Sequence, residues 1–446
     1  MWFAYRPSLS AMAIAALSFS AAMTAAPRLP TTSVNSVAPA HPQWRQFRFD
    51  AHHTGYNRTE RVLGVGNVPS MELAWQAELG ELVFSSSPAV VNGVVYIGSS
   101  DGTLWAYSAD GCGASLCTTP LWQSVSLAQI VDSPTVAGGV VYVGSQTSFD
   151  SNDGLLNAFD AHGCGAPVCA PLWQGLAGNE SILDSSPAVG NGFVYVGAFD
   201  GKLYAFAANG CGAPICKPVW TGATRGTIES SPTVGAGVVY IGSDDGKLYA
   251  FAAAGCGSSI CEPLWSGDLG SAAFSSTPAL SDGVVYIGSA HALSAFDADG
   301  CGVPTCAPLW QAVDENEFFG GSPAIANERV YIGLESEVAV YAAGGCGAAV
   351  CDPLWLMLGG GFQAAIESSP TVANGVVYAG RNTGEVLAWS SEPCGSFVCD
   401  NIWRGMTGDP IVNSSPTVFN GRLYIGSADD AFPEDQQGRI YIFELP

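Results

Sequence analysis

The sequence predicts an all-β fold: a single-domain, eight-bladed β-propeller with four strands in each blade. A small residue followed by proline recurs eight times, at intervals of 45 to 53 residues. After each proline come short runs rich in Val, Ile, Tyr and Phe, separated by Gly and Asx turns, as expected for four strands per repeat. The repeat prolines are Pro88, Pro134, Pro187, Pro232, Pro278, Pro323, Pro370 and Pro416.

The two ends of the repeat array predict how the ring closes. The eighth repeat has no tryptophan strand, whereas residues 71–79 carry Trp75 ahead of the first repeat proline. We expect this N-terminal strand to complete the last blade, because it pairs edges that an open ring would leave exposed. The outermost strands then carry eight tryptophans: Trp75, Trp122, Trp173, Trp220, Trp265, Trp310, Trp355 and Trp403.

All fourteen cysteines fall into seven pairs of one spacing, in the loop between the third and outermost strands of a blade. Such spacing is typical of disulfides or metal sites, but structural zinc needs four ligands and each pair supplies two. Disulfides are therefore favoured, each tying the outermost strand to its neighbour in the same blade. The expected bridges are Cys112–Cys117, Cys164–Cys169, Cys211–Cys216, Cys256–Cys261, Cys301–Cys306, Cys346–Cys351 and Cys394–Cys399.

The N-terminal region predicts export. Residues 1–26 combine an early arginine, an apolar run and small residues, which is the pattern of a secretory signal peptide. Residues 27–43 are rich in Pro, Ser and Ala and are interpreted as a linker. The propeller is expected to span 44–446, with 44–80 as lead-in and closing strand. We expect a secreted or periplasmic protein without a membrane span, in a compartment that oxidises thiols.

The charge balance limits the possible partners. The net charge is −24, and only Lys202, Lys217 and Lys247 are lysines, so a nucleic acid would be repelled. An acidic soluble surface is the simpler interpretation of this charge, and attraction of cationic ligands is the alternative. A protein, peptide or polysaccharide ligand is expected, bound by a monomer.

Residues 84–446, in units of S-S-P-A-V-x-x-G-V-V-Y-I-G-S-x-D-G-x-L-Y-A-F, resemble the pyrroloquinoline-quinone (PQQ)-like propeller repeat. The segment WRQFRFDAHHTGYN, residues 44–57, is similar to the one that introduces the propeller in exported bacterial members. That family includes quinoprotein alcohol dehydrogenases, which carry PQQ and calcium, and non-catalytic scaffolds such as the outer-membrane assembly lipoprotein. The resemblance therefore implies the fold and leaves the function open.

Departures from the family pattern favour a non-catalytic protein. The blade-docking pattern A-x-D-x-x-T-G-x-x-x-W survives only in part, as in Ala295, Asp297, Gly300 and Trp310, because the link from Gly to Trp is lengthened to hold the cysteines. The adjacent cysteine pair of the dehydrogenases and a C-x-x-C-H haem site are both absent. No catalytic residue is predicted. We expect a binding or scaffold module, with a PQQ- and calcium-dependent alcohol dehydrogenase as the alternative.

The loops that precede the innermost strands, called axial loops below, vary between repeats, and variation in a regular array marks a binding face. In a four-strand meander they share this face, the loop face, with the turns between second and third strands. Their carboxylates and amides either bind calcium, with or without a quinone, or cap the channel mouth by bonding to backbone amides and water. Two arginines on the same face either pair with these acids or hold an anion. The candidate ligand-binding residues are Asp132, Asp184, Glu229, Glu367, Asn413, Arg225 and Arg381.

One long turn carries a candidate metal site. The sequence DSNDG at 150–154 places Asp150, Asn152 and Asp153 close together, which resembles a calcium-binding loop. It lacks the complete D-x-[DN]-x-[DN]-G pattern and the later glutamate. A metal site and a flexible acidic loop both remain open from the sequence.

Overall fold

The innermost strand of each repeat packs against that of the next repeat, and the eighth packs against the first. This closed order makes an eight-bladed β-propeller, as predicted. The computed structural model describes residues 43–446 except 128, 131, 147–153, 179, 183, 316, 320, 360–364 and 429–436. Within the described residues, no helix has the length and apolar character needed to cross a bilayer.

Each blade contains an antiparallel meander of four strands, and the ranges below run from blade one to blade eight. The innermost strands are Ala89–Val91, Thr135–Ala137, Ala188–Gly190, Thr233–Gly235, Ala279–Ser281, Ala324–Ala326, Thr371–Ala373 and Thr417–Phe419. The second strands are Val94–Gly98, Val140–Gln146, Phe193–Ala198, Val238–Ser243, Val284–Gly288, Arg329–Gly333, Val376–Gly380 and Arg422–Ala428. The third strands are Leu104–Ser108, Gly154–Asp160, Lys202–Ala207, Lys247–Ala252, Ala292–Asp297, Glu337–Ala342, Glu385–Ser390 and Gly438–Glu444. The outermost strands are Trp122–Ser124, Trp173–Leu176, Trp220–Ala223, Trp265–Asp268, Trp310–Val313, Trp355–Leu358, Trp403–Met406 and, for blade eight, Glu72–Leu79.

The second strands explain why the repeats are apolar almost without alternation. Each lies in the middle of a blade and is covered on both faces by neighbouring blades, so a run such as V-V-Y-I-G is buried nearly throughout. Its final glycine is needed for close packing, since a Cβ on Gly197 would lie 2.2 Å from the Ile228 side chain of the next blade. Asn92 and Gly93, both at positive φ, turn the innermost strand of blade one into the second.

The N-terminal strand closes the ring, as the sequence predicts. Glu72–Leu79 pairs antiparallel with Gly438–Glu444, the third strand of blade eight. Trp75 is buried against Gly111 of blade one, where a Cβ would lie 3.0 Å from the indole ring. Blade eight is therefore assembled from both ends of the repeat array.

The seven disulfides join the predicted partners, five residues apart in every case. The sequence did not predict that these loops also pair with the preceding blade. In six blades the residues up to the second cysteine form a fifth, parallel strand on the outermost strand of the preceding blade. In the seventh case a single bridge joins Val350 to Gln311 of the preceding blade. The six fifth strands are Leu116–Cys117, Val168–Cys169, Ile215–Cys216, Ile260–Cys261, Thr305–Cys306 and Val398–Cys399.

The outermost strand of blade seven has a different neighbour, because blade eight carries no cysteine loop. The short 3-10 helix Val68–Ser70 lies beside Trp403–Met406. The indole N–H of Trp403 donates to the carbonyl of Met71, 3.0 Å away. The chain leading into the closing strand thus covers the edge that a disulfide loop covers elsewhere.

The segment 44–57, called the lead-in segment below, bonds to the middle residue of all eight innermost strands in blade order. Trp44 forms a two-way backbone pair with Val90. In blades two, four, five, six and seven, a backbone N–H of the innermost strand donates to a carbonyl of the segment. The accepting carbonyls are, in that order, those of Arg45, Ala51, His52, Thr54 and Gly55. In blade three the Gln46 side chain accepts from Val189, and in blade eight the Asn57 side chain donates to Val418. The segment therefore runs around the inside of the ring, along the innermost strand of every blade.

Candidate binding site

The axial loops bring four of the predicted residues together at the loop face. Asp184 and Asn413 lie at positive φ, 60° and 57°, a conformation that Asp and Asn tolerate better than most residues. With Glu367 they line a narrow space of about 40 Å³ above Phe47 of the lead-in segment. Glu229 lies to one side and accepts a long hydrogen bond from the Ser275 hydroxyl at 3.5 Å.

Asp132 does not line this narrow space. It is buried below the loop face, where its Oδ2 accepts a hydrogen bond from the Gly144 N–H at 2.6 Å. This is the bonding to a backbone amide that the sequence left open as an alternative to ligand binding. Its Oδ1 is buried without a partner. Burial raises the pKa of the Asp132 carboxyl well above its ordinary value, against the effect of the Gly144 N–H, and the charge of Asp184 raises it further.

Serines occupy the position of Asp132 in six other blades. Each serine lies two residues before the repeat proline, and its hydroxyl accepts from the N–H of the glycine at or near the end of the second strand. Blade six has Gly321 at this position, which has no side chain to offer. The six serine acceptors are Ser86, Ser185, Ser230, Ser276, Ser368 and Ser414.

The two predicted arginines do not join the acids. Arg381 is buried and pairs with Glu385, which also pairs with Arg404 at 2.6 Å. Arg225 is exposed on the loop that precedes the innermost strand of blade four. Neither arginine lines the narrow space beside Asp184.

The candidate metal residues Asp150, Asn152 and Asp153 lie outside the described residues. Among the residues that are described, no group of three or more His, Cys, Asp or Glu side chains is arranged to hold a metal ion. The described acids of the loop face are therefore spread out rather than convergent.

A cavity of about 810 Å³ opens on the loop face over blades five to seven. Phe274 and Phe318 form one wall, with ring centroids 5.7 Å apart and exposed fractions of 38% and 46%. Exposed aromatic pairs of this kind are enriched where proteins bind partners. The cavity is lined by Glu229, Phe274, Ser275, Glu317, Phe318, Gly321, Gly333, Leu334, Glu335, Ser336, Ala365, Ile366, Glu367, Asn382 and Asn413.

Two glutamates of this cavity lie close to other negative charges. Burial raises the pKa of Glu317, a hydrogen bond from the backbone N–H of Glu335 opposes this shift, and the charges of Glu335 and Asp314 raise the pKa further. Burial raises the pKa of Glu229 as well, with added repulsion from Asp244 and Asp184. Among the described residues, no lysine or arginine forms an ion pair with Glu229, Glu317, Glu335 or Glu367. The cavity therefore has excess negative charge that a cation would relieve.

Sequence reasoning missed Phe274, Phe318, Glu317, Glu335 and Asn382. The first three lie in axial loops outside the repeated pattern, and Glu335 lies in a short turn that replaces the usual S-x-D-G sequence. One signal was available, since aligning the repeats shows Gly321 where six blades have serine. That change marks blade six, like blade two with Asp132, as a repeat that differs on the loop face.

Comparison with known proteins agrees with this architecture. The family described as outer membrane protein assembly factor BamB matches residues 67–210 and 170–258. The chain is a PQQ-like β-propeller repeat protein. No curated protein matches this PQQ-like propeller significantly.

Solved structures share the fold at low sequence identity. The BamB structure from Moraxella catarrhalis is 18% identical with a TM-score of 0.59, and the match covers 84% of this chain and 97% of that one. Quinohemoprotein alcohol dehydrogenase from Comamonas testosteroni is 14% identical with a TM-score of 0.67, covering 94% and 82%. A computationally designed protein, Ika8, is 15% identical with a TM-score of 0.59, covering 82% and 98%. Binding and catalytic proteins both have this fold, so it does not decide the function.

Proposed function

We propose that this propeller is an exported, non-catalytic binding module that takes a protein or peptide partner on its loop face. The observation that carries the proposal is the exposed Phe274–Phe318 pair on the wall of a cavity of about 810 Å³. Large aromatic side chains beside a concave surface supply much of the binding energy in protein interfaces. A soluble protein gains nothing in stability by leaving two adjacent phenylalanines half exposed.

The lead-in segment supports the loop face as the binding surface. It runs along all eight innermost strands inside the ring. We expect it to obstruct the channel there, which leaves the loop face for a ligand. The similarity to a protein described as an outer membrane protein assembly factor is consistent with a role in binding other proteins.

Export is part of the proposal. Seven short-range disulfides are typical of proteins that fold where thiols are oxidised. We interpret residues 1–26 as a signal peptide, 27–43 as a linker, and the remainder as one propeller domain that acts as a monomer. The place of action is then the periplasm or the exterior.

A PQQ- and calcium-dependent dehydrogenase is the alternative, and the described lining does not suit its cofactors. PQQ is a planar tricarboxylate, whereas the narrow space measures about 40 Å³, and both this space and the cavity of about 810 Å³ are lined by carboxylates such as Glu367. Carboxylates without a paired cation would repel such an anion. The described residues also contain no group of three or more His, Cys, Asp or Glu side chains that could hold a calcium ion.

Selection from a random-peptide display library against the full chain tests the proposal. The matched variants are Phe318→Ser on the loop face and Phe397→Ser in a cysteine loop, since Phe397 is also an exposed phenylalanine, at 55%. We expect enriched peptides to bind the wild type and Phe397→Ser equally, and Phe318→Ser about fivefold or more weakly.

Three results would contradict the proposal. The first is the failure of any sequence to enrich, and the second is binding that Phe397→Ser weakens as much as Phe318→Ser. The third is the appearance of a quinone absorption band after incubation with PQQ and Ca²⁺, together with dye-linked oxidation of an alcohol. This third result would replace the binding module with the dehydrogenase.

A further inference from the structure

The large cavity exists because blade six departs from the packing used by the other blades. In those blades the glycine that ends the second strand lies against the next axial loop, and a Cβ on it would lie 2.0 to 2.8 Å from that loop. In blade six a Cβ on the equivalent Gly333 would lie 3.4 Å from the nearest atom of the next axial loop, on Ile366. Blade six also has Gly321 at the position where six other blades have a serine, so it lacks the hydroxyl that contacts this glycine there. The two glycines leave a recess between blades six and seven.

The walls of the recess combine apolar and aromatic surface. Leu334 and Ile366 line the cavity of which the recess is part, together with Phe274 and Phe318. Phenylalanine faces attract cations, and the planar guanidinium group stacks on them better than a compact ammonium. A ligand with an apolar stem and a planar cationic head would contact both kinds of surface.

Two buried acceptor atoms in the lining have no hydrogen-bond partner among the residues that the structure describes. The amide nitrogen of Asn382 donates to Glu367 at 3.2 Å, which fixes the orientation of the amide. Its Oδ1 is then the free atom, and this oxygen is buried without a hydrogen bond. The Oε2 of Glu317 is buried and unpartnered in the same way. Buried acceptors without donors are costly, so both atoms favour a ligand rich in N–H groups.

The distances between the acidic side chains favour an extended organic cation over a metal ion. Glu229, Glu317, Glu335 and Glu367 all line the cavity, yet the described residues contain no metal-binding cluster. An extended cation with several donors can reach separate acceptors where a metal ion cannot. Guanidinium has five N–H donors in a fixed plane.

We propose that the recess between blades six and seven binds a guanidinium group, supplied by an arginine side chain of the partner. The inference rests on the proposed function, because it names the group by which the loop face recognises a protein or peptide. The guanidinium stacks against Phe274 and Phe318, and its N–H groups donate to Glu317 and Asn382.

Ligand-observed NMR titration of the full chain tests the inference. The probes are a short arginine-containing peptide, the same peptide with lysine or with uncharged citrulline in place of arginine, and agmatine as a free guanidine. We expect the arginine peptide to bind about fivefold or more tightly than the citrulline peptide, and also more tightly than the lysine peptide. Agmatine binding as tightly as the peptide would support the same chemistry with a small-molecule source.

Two variants localise the effect. Glu317→Gln should weaken binding of the arginine peptide about fivefold to tenfold. Glu262→Gln, at an exposed glutamate in a cysteine loop, should leave it unchanged. Equal binding of the arginine and citrulline peptides would overturn the inference, as would full affinity in Glu317→Gln. If display peptides without arginine still bind in a Phe318-dependent manner, the binding module stands and only the guanidinium assignment fails.

Discussion

The backbone N–H of Ser415 donates to the hydroxyl of Ser87, 2.8 Å away, and so bonds the last blade to the first. The same bond joins every other pair of neighbouring blades, from the residue before each repeat proline to its counterpart in the next blade. The result is a closed ring of eight hydrogen bonds around the channel. Its members are Ser87, Ser133, Ser186, Ser231, Thr277, Ser322, Ser369 and Ser415.

Removing one hydroxyl of this ring should destabilise the protein. In Ser87→Ala the buried N–H of Ser415 loses its acceptor, which typically costs about 1–3 kcal/mol. Ser87→Thr is the matched control, because Thr277 fills the equivalent position in blade five. Chemical unfolding followed by tryptophan fluorescence measures both. A stability loss as large in Ser87→Thr as in Ser87→Ala would show that packing, not the hydrogen bond, is responsible.

The cysteine loops make a second prediction, because each acts on the preceding blade. The N–H of Gln174 in blade two donates to Pro214 in the cysteine loop of blade three, at 2.8 Å. Replacing Cys211 and Cys216 by serine should free this loop and increase hydrogen exchange at Gln174. Thr221 is the internal control, since its N–H donates to Ser259 in the next loop, whose disulfide is intact.

The loss of stability from that double replacement should be about 2 kcal/mol, because the loop closed by the bridge is short. A larger increase in hydrogen exchange at Thr221 than at Gln174 would contradict the pairing across blades. It would show that the disulfide stabilises blade three itself.

Asp132 predicts a dependence of stability on pH. Its pKa is raised in the folded state, so the folded protein holds the proton over a pH range in which the unfolded chain has released it. The Asp132 carboxyl therefore destabilises the folded protein. This destabilisation is absent below the ordinary pKa of about 4 and grows as pH rises from there through the raised pKa. Asp132→Ser restores the serine acceptor of six other blades and should stabilise the protein by about 1–3 kcal/mol at pH 8.

Thermal midpoints of the wild type and Asp132→Ser at pH 4, 6 and 8 check this prediction. The difference in favour of the variant should widen with pH. A variant that is less stable at pH 8, or a difference that does not change with pH, would mean that the Asp132 carboxylate is stabilised in its charged form.

The repeat made most of the fold predictable. Blade number and ring closure follow from counting proline-led strands against Trp75 and the other tryptophans, and disulfide pairing follows from one fixed spacing. The fifth strands were missed because pairing between blades is decided by tertiary packing and leaves no local pattern in a loop such as G-C-G-A-P-I-C. The path of the lead-in segment was missed for the same reason, since its bonds are to strands up to 361 residues away.

The site was predictable only where it follows the repeat. Asp184, Glu367 and Asn413 share one repeat position and so were placed together correctly. Asp132 lies one residue further along, at the serine position, and its side chain therefore points to Gly144 instead of the channel. Arg381 was expected to pair with these acids or to hold an anion, and it pairs with Glu385, four residues later. Phe274 and Phe318 lie outside the repeat, and only the structure brings them together.

Ring closure gives the last prediction, which separates the closing strand from the lead-in segment by two truncations. A chain that begins at residue 58 lacks the lead-in segment but keeps Glu72–Leu79. It should fold with a lower thermal midpoint than a chain that begins at residue 43, because the innermost strands lose their bonds to that segment. A chain that begins at residue 81 also lacks the outermost strand of blade eight.

In the shorter chain the edge of Gly438–Glu444 is exposed, and the surface of blade one that Trp75 covers is open. Loss of a buried tryptophan alone costs about 3–5 kcal/mol, and an unpaired edge strand promotes aggregation. We therefore expect low soluble yield from residue 81 and a folded, less stable protein from residue 58. Soluble yield and thermal midpoint of the three chains, made in an oxidising compartment, measure the difference. Equal yield and midpoint for the chains from 58 and 81 would show that Glu72–Leu79 does not stabilise blade eight.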